Sequence, residues 1–256
     1  MTQPASPQPL SPQPNTQTRG IWLMIATTLV FALQDGVTRS LTDLIPVPLI
    51  VMVRYWFFAL FVLALAARAT GGIRARARSR APVLQISRGI VLALEVTVMG
   101  LAFQMLGLVE SHAVFACYPL VVAALSGPVL GERVGWRRWS AIAIGFVGVL
   151  VILQPGYGVL SPWAGLPMAA AMLFALYSLL TRRVARYDSA ATSFFWTAIV
   201  GAICMTLTGL STWQPIPPAA WGGLLALCLL AVLGHYMLIQ SYAQAEASTV
   251  QPFAYF

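Results

Sequence analysis

The stretch FALQDGVTR, from Phe31 to Arg39, returns 143 positions later as FALYSLLTR, from Phe174 to Arg182. Five of the nine positions match, and the phenylalanine, threonine and arginine matches carry the most weight in so apolar a chain. A weaker repeat at an offset of 136 pairs Gln104, Glu110 and Val114 with Gln240, Glu246 and Val250. Because an internal repeat fixes the architecture, we predict two copies of one unit.

The composition is that of a membrane protein. The chain is 59% hydrophobic and 9% charged, whereas soluble domains carry about 25% charged residues. Apolar runs of about 20 residues recur along it, which is the pattern of membrane-spanning helices. The arginines fall between these runs and form no single basic face, so nucleic-acid binding is not expected. The cysteines form no CxxC pair, and we interpret them as packing residues.

The chain divides into a tail and two repeats. Residues 1–18 contain five prolines and no charge, so we predict a disordered tail. The first repeat is predicted at 19–154 and the second at 155–256. The predicted helices are 20–38, 47–67, 83–107, 109–131, 136–154, 162–181, 189–210 and 219–240, with a ninth that begins near residue 245.

The arginines also predict the orientation. They crowd the loops after the second, fourth and sixth apolar runs, at Arg68, Arg74, Arg76, Arg78, Arg80, Arg133, Arg137, Arg138, Arg182, Arg183 and Arg186. By the positive-inside rule these loops and the N-terminus are cytoplasmic. A unit of five helices is odd, so its second copy enters the membrane from the opposite side. Such an inverted repeat is a common plan of secondary transporters.

In this layout the chain resembles the drug/metabolite transporter superfamily, specifically its EamA-type domain. The resemblance is carried by Arg54, by the stretch SHAVFACYPLVVAALSGPVLGER with Pro119 and a closing Gly131-Glu132, and by the glycine-rich AIAIGFVGVLVIL. The start of the ninth helix, AEASTVQPFAYF, resembles a second copy of the fourth.

The resemblance implies an all-α polytopic protein of the inner membrane with a ten-helix plan. This chain has eight full helices and part of a ninth, so we expect an apolar groove that lipid or a second chain covers. Secondary transport of small metabolites is implied, with amino-acid or metabolite efflux favoured and uptake of a vitamin such as riboflavin as another option. The alternative is a non-transporting assembly or sensor protein.

An enzyme is not expected, because the sequence has no HExxH, GxSxG or paired-carboxylate motif. No cofactor and no metal ion are predicted. The expected partners are a small-molecule substrate and the lipid bilayer. A coupling proton and a homodimer partner are left open.

Ionisable residues inside apolar runs are costly and therefore mark function. Helix rise places Asp35, Arg54 and Glu95 at one level near the membrane midplane. We expect Arg54 to face a central cavity and to pair with Glu95, or in second place with Asp35. Arg88 lies nearer the cytoplasmic edge and is expected to snorkel to the interface.

Further candidates allow two interpretations each. His235 either relays protons or packs with its hydrogen bonds satisfied. The prolines Pro119, Pro128 and Pro252 either break helices beside a cavity or only kink them. A set of aromatic side chains either stacks on a flat substrate or forms an interfacial belt: Trp22, Tyr55, Trp56, Trp163, Tyr177 and Trp196. Other cavity candidates are Gln34, Gln104, Tyr118 and Tyr177. Close helix packing is predicted at Ala141, Gly145 and Gly148.

Overall fold

The computed structural model describes residues 14–132 and 162–255, with isolated positions between 135 and 147. This part of the chain is helical and holds seven helices long and apolar enough to cross a membrane. They coincide with seven of the eight predicted full spans, which confirms an all-α polytopic membrane protein. The remaining predicted span, 136–154, lies largely outside the described residues, as do Ala141, Gly145 and Gly148.

The helices are α1 (Pro14–Leu41), α2 (Val47–Arg68), α3 (Gly72–Ala77), α4 (Pro82–Met105), α5 (Leu108–Phe115), α6 (Tyr118–Leu130), α7 (Gly165–Val184), α8 (Ala190–Gly209), α9 (Ala220–Gln244) and α10 (Ala247–Val250). Three 3-10 segments cover Pro162–Ala164, Leu210–Thr212 and Gln251–Tyr255. Helix α5, the break and α6 together form the single span Leu108–Leu130.

Prolines and small polar residues set the helix starts. Pro82 opens α4 and Pro48 stands in the first turn of α2, where the missing proline N–H costs nothing. Ser189 caps α8 by accepting a hydrogen bond from the Thr192 N–H at 3.1 Å. Helix α1 begins at Pro14, so the predicted disordered tail is wrong for residues 14–18. Proline suits the first turn of a helix, and no breaker follows it before residue 20.

The fourth span is interrupted at Ala116 and Cys117, between α5 and α6. Pro119 lacks an N–H and cannot continue the helical ladder there, and both Ala116 and Pro119 line a cavity. Pro119 therefore breaks a helix beside a cavity. Pro128 lies inside α6 without ending it, and Pro252 lies in the 3-10 segment that follows α10.

The helix packing is symmetric. The most extensive contacts join α1 with α9, α4 with α7, and α2 with α8. Exchanging the predicted units turns α1 into α7, α2 into α8, and α4 into α9. Under this exchange the pairing of α1 with α9 becomes the pairing of α7 with α4, and the pairing of α2 with α8 maps onto itself. The same exchange relates two further contacts. Helix α6 packs on α7, and the segment from α10 to residue 255 packs on α1.

Glycines bring α8 close to two neighbours at once. A Cβ atom at Gly201 would overlap the Tyr55 ring of α2, and one at Gly89 of α4 would lie 2.6 Å from Val200 Cβ. Small residues let helix backbones approach closely in membranes. Helix α8 therefore packs closely on both α2 and α4.

Candidate substrate cavity

A cavity of about 340 Å³ lies where α1, α2, α4, α5, α6, α7 and α9 meet the 3-10 segment 251–255. This volume is within the usual range for small-molecule sites. Six aromatic side chains line it: Phe31, Phe103, Phe115, Tyr118, Phe174 and Tyr255. Five acidic, basic or histidine side chains also line it: Asp35, Arg54, Glu95, His112 and His235. Helices of both predicted units contribute to the wall.

Phe174 organises the aromatic wall. Its ring centroid lies 4.8 Å from that of Tyr118, 5.7 Å from Phe115 and 6.4 Å from Phe31. Phe31 and Phe174 hold the same position in the repeated FAL sequence. The fold thus brings the two copies of the repeat into contact at the cavity.

Asp35 of α1 pairs with His112 of α5, with 3.3 Å between Asp35 Oδ2 and His112 Nε2. Their side chains are 20% and 40% exposed, so a ligand or water can reach both. The His112 ring also packs on Phe103 and Phe115, with centroid distances of 5.4 and 6.2 Å. Our sequence analysis did not select His112. The sequence feature that could have identified it is a titratable side chain inside an apolar run, close to Pro119.

The predicted pairing of Arg54 with Glu95, or with Asp35, is wrong. Within the described part of the chain, neither carboxylate lies within 4 Å of a nitrogen of Arg54. Arg54 and Glu95 are both buried and both line the cavity. Arg54 lies on α2 and Glu95 on α4, so the two charges reach the cavity from different helices.

His235 of α9 packs by its ring and has no hydrogen-bond partner among the described residues. Its centroid lies 5.4 Å from that of Phe31 and 6.0 Å from that of Phe58. Both ring nitrogens are buried without a partner in the described chain. The interpretation of His235 as a packing histidine with satisfied hydrogen bonds is therefore wrong. Gln34 Oε1 and Arg54 Nη2 are buried and unpartnered in the same way.

Arg88 does not snorkel to the interface, because it is fully buried between α4, α7 and α8. It donates hydrogen bonds to Thr181 Oγ1 at 3.2 Å, to Thr197 Oγ1 at 2.6 Å and to the Ser193 carbonyl. The Tyr177 ring lies 5.5 Å from its guanidinium carbon. Side-chain and backbone oxygens of neighbouring helices thus replace the water that snorkelling would have reached. Tyr177 belongs to this cluster, and it does not line the cavity.

Other candidates lie away from the cavity. Gln104 lines a separate shallow pocket with Pro48 and Gln214. None of the aromatic side chains proposed from the sequence to stack on a substrate lines the cavity. Among the residues that the structure describes, no cluster of three or more His, Cys, Asp or Glu side chains could hold a metal ion.

Glu132, directly after α6, joins three elements at one end of the bundle. Its carboxylate accepts hydrogen bonds from Arg182 Nε at 3.1 Å and from the Ala247 and Ser248 N–H groups, each at 3.3 Å. Gly131, with a φ of 71°, gives the left-handed turn that precedes this carboxylate. A carboxylate at a helix N-terminus satisfies free N–H groups. This Glu132 junction links the two predicted units.

A polytopic helical bundle with a cavity between two symmetrically packed halves is the architecture of a membrane transporter. The model of the EamA-like transporter family matches residues 18–154. A riboflavin transporter of Rhizobium johnstonii is 30% identical over 251 residues, which cover 95% of this chain and 81% of that protein. A riboflavin transporter of Vibrio cholerae is 27% identical over 238 residues, which cover 92% and 80%.

A solved crystal structure with 21% sequence identity shares the fold, with a TM-score of 0.69 over 94% of this chain and 83% of that one. The chain belongs to the EamA-like transporter family, which confirms the resemblance seen in the sequence. It is a multi-pass membrane transporter of small metabolites.

Proposed function

We propose that this chain is a secondary transporter that carries a metabolite with a flat ring system through the central cavity, with riboflavin as the first candidate. The aromatic lining of the cavity is the observation that carries this proposal. Flat rings stack favourably on aromatic side chains. The similarity to two riboflavin transporters supports the same substrate class.

The proposed topology has the N-terminus in the cytoplasm and the protein in the inner membrane. Its units are the repeats 19–154 and 155–256, which rock against each other around the cavity. The symmetric helix pairings support this plan, as do the arginine-rich loops. Both units contribute to the cavity wall, which is where alternating access requires a site.

The proposed coupling ion is a proton, and the proposed carrier is the pair of Asp35 and His112. Their 3.3 Å contact joins α1 to α5 inside the cavity. Protonation of Asp35 would remove its negative charge and so weaken this contact, and substrate binding would compete for the same groups. Three further charged or titratable side chains share the cavity: Arg54, Glu95 and His235.

The test is flux of radiolabelled riboflavin in proteoliposomes, measured in both directions, with and without a pH gradient. Labelled amino acids serve as the competing substrate class. We expect saturable riboflavin flux that Phe174→Ala lowers at least tenfold. The control Phe61→Ala removes a phenylalanine of α2 that is 43% exposed and should leave the flux unchanged.

Asp35→Asn should abolish the dependence of the flux on the pH gradient. Flux of amino acids without flux of riboflavin would refute the flat-ring substrate. The absence of any flux would favour the assembly or sensor class.

A further inference from the structure

Three buried side chains on the cavity wall carry polar atoms that no group in the described part of the chain satisfies. The atoms are Gln34 Oε1, Arg54 Nη2 and both ring nitrogens of His235. The residues are 7%, 3% and 2% exposed, and all three line the cavity. Buried polar groups in folded proteins are nearly always hydrogen-bonded, so unpaired atoms gathered at one cavity indicate a ligand that supplies their partners.

Two rings that pack on His235 relate the three side chains to one another. The rings of Phe31 and Phe58 both pack on His235, at 5.4 and 6.0 Å between centroids. Gln34 follows Phe31 by three residues on α1, and Arg54 precedes Phe58 by four on α2. Residues three or four apart share a helix face. Gln34 and Arg54 therefore each lie about one helical turn from a ring that touches His235.

We infer that Gln34, Arg54 and His235 form a hydrogen-bonding site for the imide edge of a flat heterocycle. This inference rests on the proposed function and specifies how the site recognises its substrate. Arg54 Nη2 donates, Gln34 Oε1 accepts, and a neutral His235 offers one donor and one acceptor. An imide supplies two carbonyl acceptors, for Arg54 and the His235 N–H, and one N–H donor for Gln34, so of the named groups one ring nitrogen of His235 stays unmatched. The ring system of riboflavin carries such an edge.

A carboxylate is the other group that an arginine commonly binds, but it fits this site poorly. It has no hydrogen to offer Gln34 Oε1. It would also add a negative charge to a cavity that already holds Asp35 and Glu95 and, among the side chains lining it, a single arginine. A neutral edge with its own N–H avoids both problems. The aromatic wall beside the patch is then free to stack on the ring face.

The experiment compares riboflavin with riboflavin methylated on its imide nitrogen. Both are titrated against the full chain in lipid nanodiscs, and the quenching of flavin fluorescence reports binding. We expect the unmodified protein to bind riboflavin about tenfold more tightly than the methylated compound, the factor for one lost hydrogen bond. This comparison uses no substitution, so misfolding of a variant cannot obscure it.

Variants then identify the residue that accepts the hydrogen bond from the imide N–H. Gln34→Met keeps the side-chain length and should weaken riboflavin about tenfold while leaving the methylated compound unchanged. His235→Phe keeps the ring packing and should weaken both compounds. The control Gln240→Met alters a glutamine of α9 that donates to Tyr236 Oη at 3.1 Å and does not line the cavity. It should keep the tenfold discrimination.

Equal affinity for the two flavins in the unmodified protein would overturn the imide site, while riboflavin binding itself would still support the proposed function. Selective binding of a labelled amino acid that Arg54→Met abolishes would indicate carboxylate recognition and would also overturn it. Binding of neither flavin, together with no riboflavin flux, would overturn the proposed function and the imide site together.

Discussion

Glu132 and Arg182 form an ion pair between the two predicted repeats, with 3.1 Å between Glu132 Oε1 and Arg182 Nε. Their side chains are 4% and 15% exposed, so little water screens the pair. Arg182 Nη1 also donates to the Tyr242 carbonyl at 3.0 Å. The pair therefore ties α6 and α7 to both ends of the turn between α9 and α10.

Removing the Glu132 carboxylate should destabilise the protein strongly. Glu132→Ala leaves Arg182 and the Ala247 and Ser248 N–H groups without their acceptor. We expect the free energy of unfolding in mixed SDS micelles to fall by roughly 3–5 kcal/mol, the range for breaking a buried ion pair. Arg183→Ala removes an exposed arginine next in the chain and should change it by less than about 0.5 kcal/mol. Equal effects of the two variants would show that the Glu132 junction does not stabilise the fold.

Arg88→Lys should destabilise the protein although it keeps the positive charge. The guanidinium reaches Thr181, Ser193 and Thr197 together, which a single ammonium cannot do. Each lost charged hydrogen bond is worth about 1.5–3 kcal/mol, so we expect at least about 2 kcal/mol of destabilisation in the same unfolding assay. The matched control is Arg74→Lys in the exposed helix α3. An Arg88→Lys variant as stable as the unmodified protein would show that these hydrogen bonds contribute little.

A methyl group at Gly201 should separate α8 from α2. Because its Cβ would overlap the Tyr55 ring, Gly201→Ala should cost about 1–3 kcal/mol through overpacking. Gly222→Ala is the control, since nothing lies within 4 Å of a Cβ there, and alanine favours helix by up to about 1 kcal/mol. Tyr55→Leu should relieve part of the Gly201→Ala defect, and strictly additive effects of the two changes would exclude the contact as its cause.

Asp188, between α7 and α8, should make stability depend on acid pH. Burial acts to raise the pKa of Asp188, but hydrogen bonds from Ser79, the Arg80 N–H and Gln85 outweigh it and hold the pKa below its usual value. A lowered pKa means that the ionised carboxylate stabilises the folded state above the unfolded pKa of about 3.9. That stabilisation is lost as the pH falls through the lower folded value.

The measurement for Asp188 compares the unmodified protein with Asp188→Asn. The variant should be less stable from pH 5 to 7, and the difference should shrink below about pH 4 as Asp188 becomes protonated. A difference that stays constant down to pH 3 would contradict this assignment.

The topology predicts which loops an impermeant thiol reagent reaches in intact cells. In a background where the three native cysteines are replaced by alanine, Ala75→Cys in α3 should resist labelling, because the proposed topology places its arginine-rich loop in the cytoplasm. Gln214→Cys, in the uncharged loop between α8 and α9, should be labelled. Both positions are exposed, and permeabilised cells check that each cysteine can react. The opposite labelling pattern would invert the proposed orientation.

The sequence by itself determined the spans and their class. An apolar run of about 20 residues has the length of a membrane-crossing helix, so the bounds of α2, α4 and α9 follow from composition within a few residues. Helix rise also predicts one depth for Asp35, Arg54 and Glu95, and all three line the same cavity. The repeat of FALQDGVTR as FALYSLLTR also identified Phe31 and Phe174 as equivalent positions.

Only the tertiary structure decided which side chains meet, because helix rise gives depth but neither the neighbours of a helix nor its rotation. Arg54 of α2 and Glu95 of α4 both line the cavity without pairing. Arg88 is near a membrane edge by sequence, yet oxygens of α7 and α8 enclose it. The break before Pro119 leaves His112 and Asp35 in contact across the cavity, and close packing of distant helices sets Phe31 against Phe174.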